Sequence, residues 1–256
     1  MGARYTRYVA IGDSSTEGLD DPDGAGSWRG WADRLATQVA QTNPGLQYAN
    51  LAVRGRLVAE IREQQLPRAL ELQPDLVTAF AGVNDLLRRR LDLGAVLAQL
   101  EEMFTALTAT GATVATITCP DASRVMPLAR PVRARIAAYN DGVREVARRT
   151  GVLLADIAAV ETAVDPRLWS EDRLHTNALG HTRIAQALAE ALHLPGATGD
   201  WRLPLPAQPH RPRHEVLRGE AAWLRRHLGP WLLRRLRGQS SGDGVVAKRP
   251  GYGPVG

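Results

Sequence analysis

Two short stretches of the chain place serine, aspartate and histidine where they could carry out nucleophilic chemistry. Ser14 and Ser15 follow a glycine and an aspartate at the end of the apolar run of residues 8–11, and Asp172 and His175 lie three positions apart. A serine hydroxyl is a useful nucleophile near neutral pH only when a base, most often histidine, accepts its proton. A carboxylate can orient that imidazole and compensate its developing charge. The sequence therefore offers two candidate nucleophiles, a base and an orienting acid.

Five units, each a strand followed by a helix, must position these residues. Apolar runs rich in β-branched residues predict the strands, and apolar residues at helical spacing predict the helices. The predicted strands are Tyr5–Ile11, Gln47–Val53, Asp75–Ala81, Ala112–Cys119 and Val152–Ile157. The predicted helices are Trp28–Thr42, Leu57–Leu72, Leu93–Thr110, Pro131–Thr150 and Ala178–His193. Because parallel neighbours need crossover connections, this alternation predicts an α/β fold with a parallel sheet covered by helices on both faces.

Polar residues follow the predicted strands at the points where such folds bind ligands. In a parallel sheet the binding site lies beyond the carboxyl ends of the strands. Residues 12–15 follow the first strand, residues 54–55 the second and residues 82–85 the third, while residues 170–177 precede the last helix. We expect these four segments to meet at one edge of the sheet, where a nucleophile, polar donors, an acid and a histidine would lie together.

The four segments resemble the four sequence blocks of the GDSL or SGNH hydrolase family, over roughly residues 5–193. The matching residues are Gly12-Asp13-Ser14 for the nucleophile block, Asn50 with Gly55 for the glycine block, Gly82-Val83-Asn84-Asp85 for the Gly-x-Asn-Asp block and Asp172-Arg173-Leu174-His175 for the Asp-x-x-His block. Each block alone is weak, but all four occur in order at predicted strand ends or before a helix. Ser15 stands where the family name has leucine, and we expect that difference to leave activity intact.

The resemblance implies a three-layer α/β/α fold of flavodoxin-like type with a five-stranded parallel sheet. It implies a serine esterase or lipase-like acyl hydrolase, with Ser14, His175 and Asp172 as the catalytic triad and an acyl-enzyme intermediate. The backbone N–H groups of Ser14 and Gly55 and the side-chain amide of Asn84 would form the oxyanion hole. The expected substrate is a small acyl ester, and no cofactor or metal is implied. The alternatives are an acyltransferase with the same site, or a catalytically silent binding module recruited to a partner or membrane by its basic tail.

Structural roles compete with the catalytic ones at several of these positions. Ser14 and Ser15 are typical of helix N-caps, and Gly55 is typical of a turn with positive φ. Asn84 and Asp85 could both cap the helix that follows them, and capping is the favoured interpretation for Asp85. The positions of all four blocks at one sheet edge favour the catalytic interpretation for Ser14 and Asn84.

Other motifs are rejected as sites because of their context. Residues 238–242 match Gly-x-Ser-x-Gly, but that motif requires a strand before it and a helix after it. Residues 251–256 match Gly-x-Gly-x-x-Gly but open no helix, so both segments are assigned to a flexible tail. His210 and His214 have the spacing of a helical metal-binding pair, but the proline between them disfavours a helix. His181, inside the last predicted helix, is assigned to the surface or to packing rather than to catalysis.

Charge divides the chain unevenly. Residues 1–195 carry 21 arginines and 23 acidic residues, a net charge of −2, whereas residues 196–256 carry 11 basic and 4 acidic residues, a net charge of +7. We expect a hydrolase domain at 1–194, a proline-rich linker at 195–213, and a basic amphipathic helical segment with a flexible tail at 214–256. No basic stripe interleaved with aromatic residues crosses the main body, so no nucleic-acid partner is expected.

Composition also bears on the location of the chain. Cys119 is the only cysteine, which excludes an internal disulfide. The sequence contains neither a signal-peptide core nor an apolar run of ~20 residues, so a cytoplasmic location is expected. The predicted C-terminal helix has leucines on one face and arginines opposite, with Trp223 among the residues that could enter a membrane surface. Docking of this helix on the body or on a partner is favoured over membrane contact.

Overall fold

The computed structural model describes residues 5–207, 223–230 and 240–255, and strands alternate with helices through most of them. The strands are β1 (Arg7–Gly12), β2 (Gln47–Asn50), β3 (Leu76–Phe80), β4 (Thr113–Ile117), β5 (Leu153–Ala155) and β6 (Arg249–Pro254). The helices are α1 (Ser14–Glu17), α2 (Gly30–Thr42), α3 (Val58–Gln64), α4 (Leu66–Glu71), α5 (Val83–Leu86), α6 (Leu93–Thr108), α7 (Arg133–Thr150) and α8 (Ala178–Ala191). Short 3₁₀ turns lie between β4 and α7 and between β5 and α8.

One sheet with the strand order β5-β4-β3-β1-β2-β6 forms the centre of the fold, and β1 to β5 are parallel. Val9 in β1 pairs with Ala49 on one side and with Val77 on the other. Every residue of β3 is buried, as are all but the first of β1, which is typical of a parallel sheet covered on both faces. The predicted α/β fold with a parallel sheet is therefore confirmed. The chain reverses its direction of progress between β1 and β3, where such sheets open a ligand crevice.

The helices pack on one another in two groups. In the first group α2 lies against α8, and in the second α6 lies against α3 and α7. Trp31, Leu35 and Val39 are buried in α2 at intervals of four, and Leu100 and Phe104 are buried in α6 at the same interval. This spacing places the apolar side chains on one face of each helix, so burial of that face holds the helix on the rest of the fold.

The helix predicted over residues 57–72 is in fact two helices, α3 and α4, which meet at Gln65. Pro67 lies in the first turn of α4, where it has no N–H to donate and its ring crowds the carbonyl four residues earlier. The Gln65 side chain instead accepts the N–H of Gly12 at 2.8 Å and donates to the Gly12 carbonyl at 2.9 Å. The break therefore ties this junction to the end of β1, directly before Ser14.

The sheet has six strands rather than the predicted five, because the C-terminal end of the chain adds one. Residues 249–254 form β6, which pairs antiparallel with the outer edge of β2, where Tyr48 faces Gly253. The expectation of a flexible tail is therefore wrong for this segment. Prolines and glycines at Pro250, Gly251 and Gly253 gave it no strand propensity, but proline is tolerated on an edge strand, which has one unpaired side.

The region between α8 and β6 is described only in part. Residues 223–230 are helical and include a π-helical turn at Leu224–Leu228. The remainder of the predicted amphipathic helix, and the pair His210 and His214, lie outside the described residues. The predicted boundaries at residues 194 and 213 stay predictions. Among the described residues, no helix has the length and apolarity needed to cross a bilayer.

Candidate active site

Ser14 lies at the carboxyl end of the central strand, as the first residue of α1. Gly12 ends β1 so close to the carbonyl oxygen of Phe80 that a Cβ atom at position 12 would overlap it. The next residue, Asp13, caps α1, because its carboxylate accepts the N–H of Ser15 at 3.1 Å. A glycine and a capping aspartate thus turn the chain sharply out of the sheet and place the Ser14 hydroxyl at its edge.

His175 reaches the Ser14 hydroxyl across that edge. Its Nε2 lies 2.9 Å from Ser14 Oγ, and its Nδ1 lies 2.7 Å from Asp172 Oδ2. The structure thus brings three predicted site residues together in one chain of hydrogen bonds. In the tautomer in which Nδ1–H donates to the carboxylate, Nε2 carries the lone pair that can accept the serine proton.

The loop that carries this pair is held at both ends by its own hydrogen bonds. Asp172 Oδ1 accepts the backbone N–H groups of Leu174 at 2.8 Å and His175 at 3.0 Å, which folds the chain back on the carboxylate. At the other end Asn177 caps α8 and donates to the Arg167 carbonyl at 2.8 Å. The local sequence therefore sets the position of the imidazole before any contact with Ser14 is made.

Burial and charge act in opposite directions on the pKa values of the pair. Burial by itself would raise the pKa of Asp172, but the hydrogen bonds and charge of His175 hold it well below its usual range. Burial would lower the pKa of His175, but the Asp172 carboxylate, with Asp20 and Asp13, raises it above its ordinary value. The site therefore favours an ionised carboxylate beside an imidazole with a strong affinity for a proton, as a general base requires.

A second carboxylate, Asp20, lies beside the pair and was not identified from the sequence. Its Oδ2 is 3.8 Å from His175 Nδ1. Ser170 Oγ lies 2.6 Å from both Asp20 Oδ2 and Asp172 Oδ1, and with one proton it donates to one of them at a time. No local signal marks Asp20, because 150 positions separate it from Ser170.

Gly55 and Asn84, the other two predicted oxyanion residues, line the same cavity as Ser14. Gly55 has a φ of 76°, in the left-handed region that favours glycine, and its N–H has no acceptor within the described part of the chain. The Asn84 amide donates to Asp13 Oδ2 at 3.1 Å and to the Arg56 carbonyl at 3.0 Å. Both N–H bonds of that amide therefore have protein acceptors in the resting site.

Two other predictions concerned residues beside the site. Asp85 does not cap its own short helix: its carboxylate accepts the N–H of Val58 at 3.1 Å and so caps α3, because the fold brings the two helix starts together. His181 is fully buried, accepts the N–H of Trp31 at 3.1 Å and lies 3.0 Å from the Leu19 carbonyl. Of the two roles left open for His181, these contacts agree with packing and not with a surface position.

A cavity of about 380 Å³ opens beside Ser14 and His175. Most of its wall is apolar, with contributions from Ile117, Met126, Val132, Ile136, Ile157 and Ile184. Arg54 also lies on the wall, but its guanidinium forms an ion pair with the buried carboxylate of Glu17. The cavity therefore presents an apolar interior next to the hydroxyl of Ser14, with the nearest arginine charge already compensated.

The C-terminal part of the chain contacts the site at two places. Trp223 is 6% exposed, its Nε1 donates to the Asp172 carbonyl at 3.1 Å, and its ring lies 4.7 Å from the guanidinium of Arg173. Ser241, far along the chain, lines the cavity. These contacts favour docking on the body for the described part of the predicted helix.

Solved structures of hydrolases share this fold. LAE5, an alpha/beta hydrolase enzyme from the metagenome of Lake Arreo, Spain, is 25% identical with a TM-score of 0.63, over 76% of this chain and 97% of that one. Axe2, an acetylxylan esterase from Geobacillus stearothermophilus, is 18% identical with a TM-score of 0.62, over 77% of this chain and 98% of that one. Structures of catalytic mutants of Axe2, in which a histidine, an aspartate or a serine is replaced, also match the fold of this chain.

No curated protein sequence matches the chain. Residues 10–183, however, match the GDSL-like Lipase/Acylhydrolase family. That range is more than half of the chain and contains all four of the segments that meet at the edge of the sheet. The chain therefore belongs to the GDSL-like lipase/acylhydrolase family, and it is an ester hydrolase of the GDSL type.

Proposed function

We propose that this ester hydrolase works by acyl transfer to Ser14, with His175 as general base and Asp172 as its orienting acid. The observation that carries the proposal is the unbroken series of contacts from Ser14 Oγ through the imidazole to the Asp172 carboxylate, at 2.9 and 2.7 Å. Replacement of a serine, an aspartate or a histidine gives catalytic mutants of Axe2, which supports the same set of side-chain types here.

The reaction takes place in two halves. In the first, Ser14 Oγ attacks the ester carbonyl carbon while His175 Nε2 takes the serine proton. The imidazolium then gives that proton to the leaving alcohol, and the acyl group remains on Ser14 as an ester. In the second half a water molecule gives a proton to Nε2 and attacks the acyl carbon; the imidazolium then gives that proton to Ser14 Oγ as the bond to the acyl carbon breaks, which releases the acid and restores the serine hydroxyl. An alcohol in place of this water would make the same site an acyltransferase.

The negative charge that develops on the carbonyl oxygen needs fixed donors. We assign this role to the backbone N–H groups of Ser14 and Gly55 and to the Asn84 amide. Ser14 opens α1, so its N–H has no carbonyl within that helix to which it could donate. For Asn84 to take part, one N–H must turn from Asp13 or Arg56 towards the substrate. Removing one such donor typically costs ~10²- to 10³-fold in kcat.

The cavity indicates which kind of acyl group the substrate carries. Its interior is mainly apolar, and burial of apolar surface is worth about 25 cal/mol per Å². We therefore propose an ester with an aliphatic acyl group, bound without a cofactor or metal ion. Asp20, Asp172 and His175 have ligand atoms within 4.8 Å of one another. A metal at Nδ1 of His175 would displace the hydrogen bond that orients the ring, so we assign these groups to hydrolysis.

Other expectations are kept as proposals. We propose a cytoplasmic enzyme with a small-molecule substrate and without a nucleic-acid partner. Contact of the C-terminal helix with a membrane surface is less well supported than docking, because Trp223 is packed against Arg173 and the Asp172 loop. A silent binding module is not favoured, since such a protein has no need for hydrogen bonds that join Ser14, His175 and Asp172.

A fluorophosphonate probe tests the proposal, because it reacts covalently with an activated serine. The labelled peptide of the wild-type protein should contain Ser14. Ser14→Ala should abolish both labelling and hydrolysis of p-nitrophenyl esters, a loss of several orders of magnitude in kcat. Ser15→Ala, the matched control on the adjacent residue, should retain both. Esters of rising acyl length, measured with the wild-type protein, then report the acyl preference.

Labelling of Ser15 instead of Ser14, or substantial hydrolysis by Ser14→Ala, would contradict the assignment of the nucleophile. An absence of labelling and hydrolysis in the folded wild-type protein would favour the binding-module alternative. A preference for acetate over every longer ester would contradict binding of the acyl chain in the apolar cavity, while leaving the mechanism in place.

A further inference from the structure

We propose that residues 240–254, which we call the C-terminal strap, hold the Gly55 peptide in the position from which it donates to the substrate oxyanion. The inference rests on the proposed function, because it assigns the strap to the oxyanion hole of that reaction. The strap begins in the wall of the active-site cavity, where Ser241 lies. It ends along β2, where Pro254 pairs with Gln47. The strap therefore runs from the active-site cavity along the outer edge of β2, in the direction opposite to that strand.

The strap and the Gly55 turn approach each other as closely as backbone allows. A Cβ atom on Gly242 would overlap the carbonyl oxygen of Arg54, and a Cβ atom on Gly55 would overlap the Ser240 hydroxyl. The Ser241 hydroxyl and the Gly242 nitrogen would lie 3.0 and 3.2 Å from that Cβ atom of residue 55. Glycine at both positions is what permits this contact, since neither the Gly55 turn nor the strap leaves room for a side chain there.

The strap is rigid at the point of contact. Asp243 accepts the N–H of Ser240 with Oδ2 at 3.0 Å, and the Ser240 hydroxyl accepts the N–H of Gly242 at 3.2 Å. The N–H of Val245 donates to the Gly242 carbonyl at 3.1 Å. These bonds close two successive turns, so the segment that faces Gly55 has a defined shape rather than that of a loose tail.

Lys248, the only lysine in the sequence, anchors the middle of the strap. Its Nζ donates to the carbonyls of Trp28 at 2.7 Å and Arg29 at 2.8 Å, and it lies 3.0 Å from Asp33 Oδ1. The side chain is 12% exposed, so these three oxygens replace most of the water around the ammonium. Pairing of β6 with β2 fixes the rest of the strap.

On the opposite side, Glu17 holds the same turn. Its carboxylate accepts the N–H of Arg54 at 2.7 Å and pairs with the Arg54 guanidinium. The peptide of Gly55 therefore lies between α1, which carries Ser14, and the strap. A donor to an oxyanion contributes only when it is fixed where the charge develops, so a displacement of this peptide should reduce kcat more than binding.

Two glycine substitutions within the strap test the inference. Gly242→Ala places a methyl group against the Arg54 carbonyl and must displace the Gly55 turn or the strap. Gly253→Ala is the matched control, because no atom lies within 4 Å of its Cβ position. Assayed well below the melting temperature, Gly242→Ala should lower kcat about tenfold or more with KM unchanged within about twofold, since loss of one oxyanion donor costs ~10²- to 10³-fold. Gly253→Ala should retain wild-type values.

Ser240→Ala is the second variant, and its exposed position should allow it to fold. It removes the hydroxyl that faces Gly55 and that accepts the Gly242 N–H, and kcat should fall about threefold at constant KM, the size of that one net hydrogen bond. A wild-type kcat in both Gly242→Ala and Ser240→Ala, with Ser14→Ala inactive, would overturn the inference and leave the proposed function in place. If Gly242→Ala does not fold, Ser240→Ala decides by the same criterion. An active Ser14→Ala would contradict the proposed function itself.

Discussion

In the proposed mechanism the chemistry depends most on His175, whose pKa is raised by three carboxylates. Burial disfavours the imidazolium, but the hydrogen bond and charge of Asp172 outweigh it, and Asp20 and Asp13 add to them. The result is a pKa above the ordinary value of 6.5. Since only the neutral imidazole can accept the Ser14 proton, the pH at which activity is lost on acidification reports this pKa directly.

We therefore expect kcat/KM for a soluble ester to fall on acidification with an apparent pKa above 6.5, the ordinary value for histidine. Asp20→Asn removes one of the carboxylates that stabilise the imidazolium, so the pKa of His175 should decrease and the acid limb should move to lower pH. Asp23→Asn, at an exposed position of the same loop, is the control. An identical pH profile for Asp20→Asn and wild type would show that Asp20 does not act on His175.

At the scale of the elements, His181 joins α8 to the start of α2 and to the segment after α1. It accepts a hydrogen bond from the N–H of Trp31, and its other nitrogen lies 3.0 Å from the Leu19 carbonyl. Burial lowers the pKa of His181 to about 4, against the hydrogen bond to Leu19, which raises it. The neutral ring therefore holds together two helices and the chain segment that leads to Asp20.

This pKa predicts how stability depends on pH. Between pH 6.5 and about 4 the unfolded state binds a proton at His181 that the folded state does not. The stabilisation is complete above pH 6.5 and is lost as the pH falls towards 4. His181→Gln should be less stable than wild type at pH 7, and the difference should shrink at pH 5, as measured by urea unfolding. His193→Gln, an exposed histidine just after the same helix, is the control. A difference that stays constant with pH would contradict the assigned titration.

At the scale of the whole molecule, the described residues beyond position 207 contact both halves of the candidate site. Trp223 lies against the loop of Asp172 and His175, and the strap lies against the turn of Gly55. The last strand also covers the outer edge of β2, which would otherwise present unpaired N–H and C=O groups. The C-terminal region is thus attached to the catalytic body at its sheet and at its active site.

Truncation after Arg213, the last residue of the predicted linker, should therefore reduce both activity and solubility. We expect a lower kcat for p-nitrophenyl esters, a lower melting temperature and concentration-dependent association through the uncovered β2 edge. Trp223→Ala, which alters only the contact with the Asp172 loop, separates the two contributions. A truncated protein with wild-type kcat and melting temperature would instead support a hydrolase domain that ends before this residue.

Local sequence patterns were enough to predict the order of the elements and the position of each site residue within them. Strands and helices are indicated by apolar runs and by their spacing over a few neighbouring residues. Five parallel strands and most helices could therefore be predicted within a few residues. Gly12-Asp13-Ser14 and the Asp172-to-His175 segment are likewise local, since a glycine, a cap or an Asx turn depends on a few adjacent residues. These signals were sufficient for the fold class and for the candidate nucleophile, base and acid.

Which distant groups meet, by contrast, follows from the folded chain and not from local sequence. Ser14 and His175 are 161 positions apart in the sequence, and the sheet brings them into contact. The fold likewise brings Asp20 to Ser170 and Gln65 to Gly12. The sixth strand was missed because its prolines and glycines have no strand propensity, and it forms by hydrogen bonding to an existing edge. Local periodicity contains no information on such contacts, because their free energy comes from burial and hydrogen bonding between segments that the folded chain alone brings together.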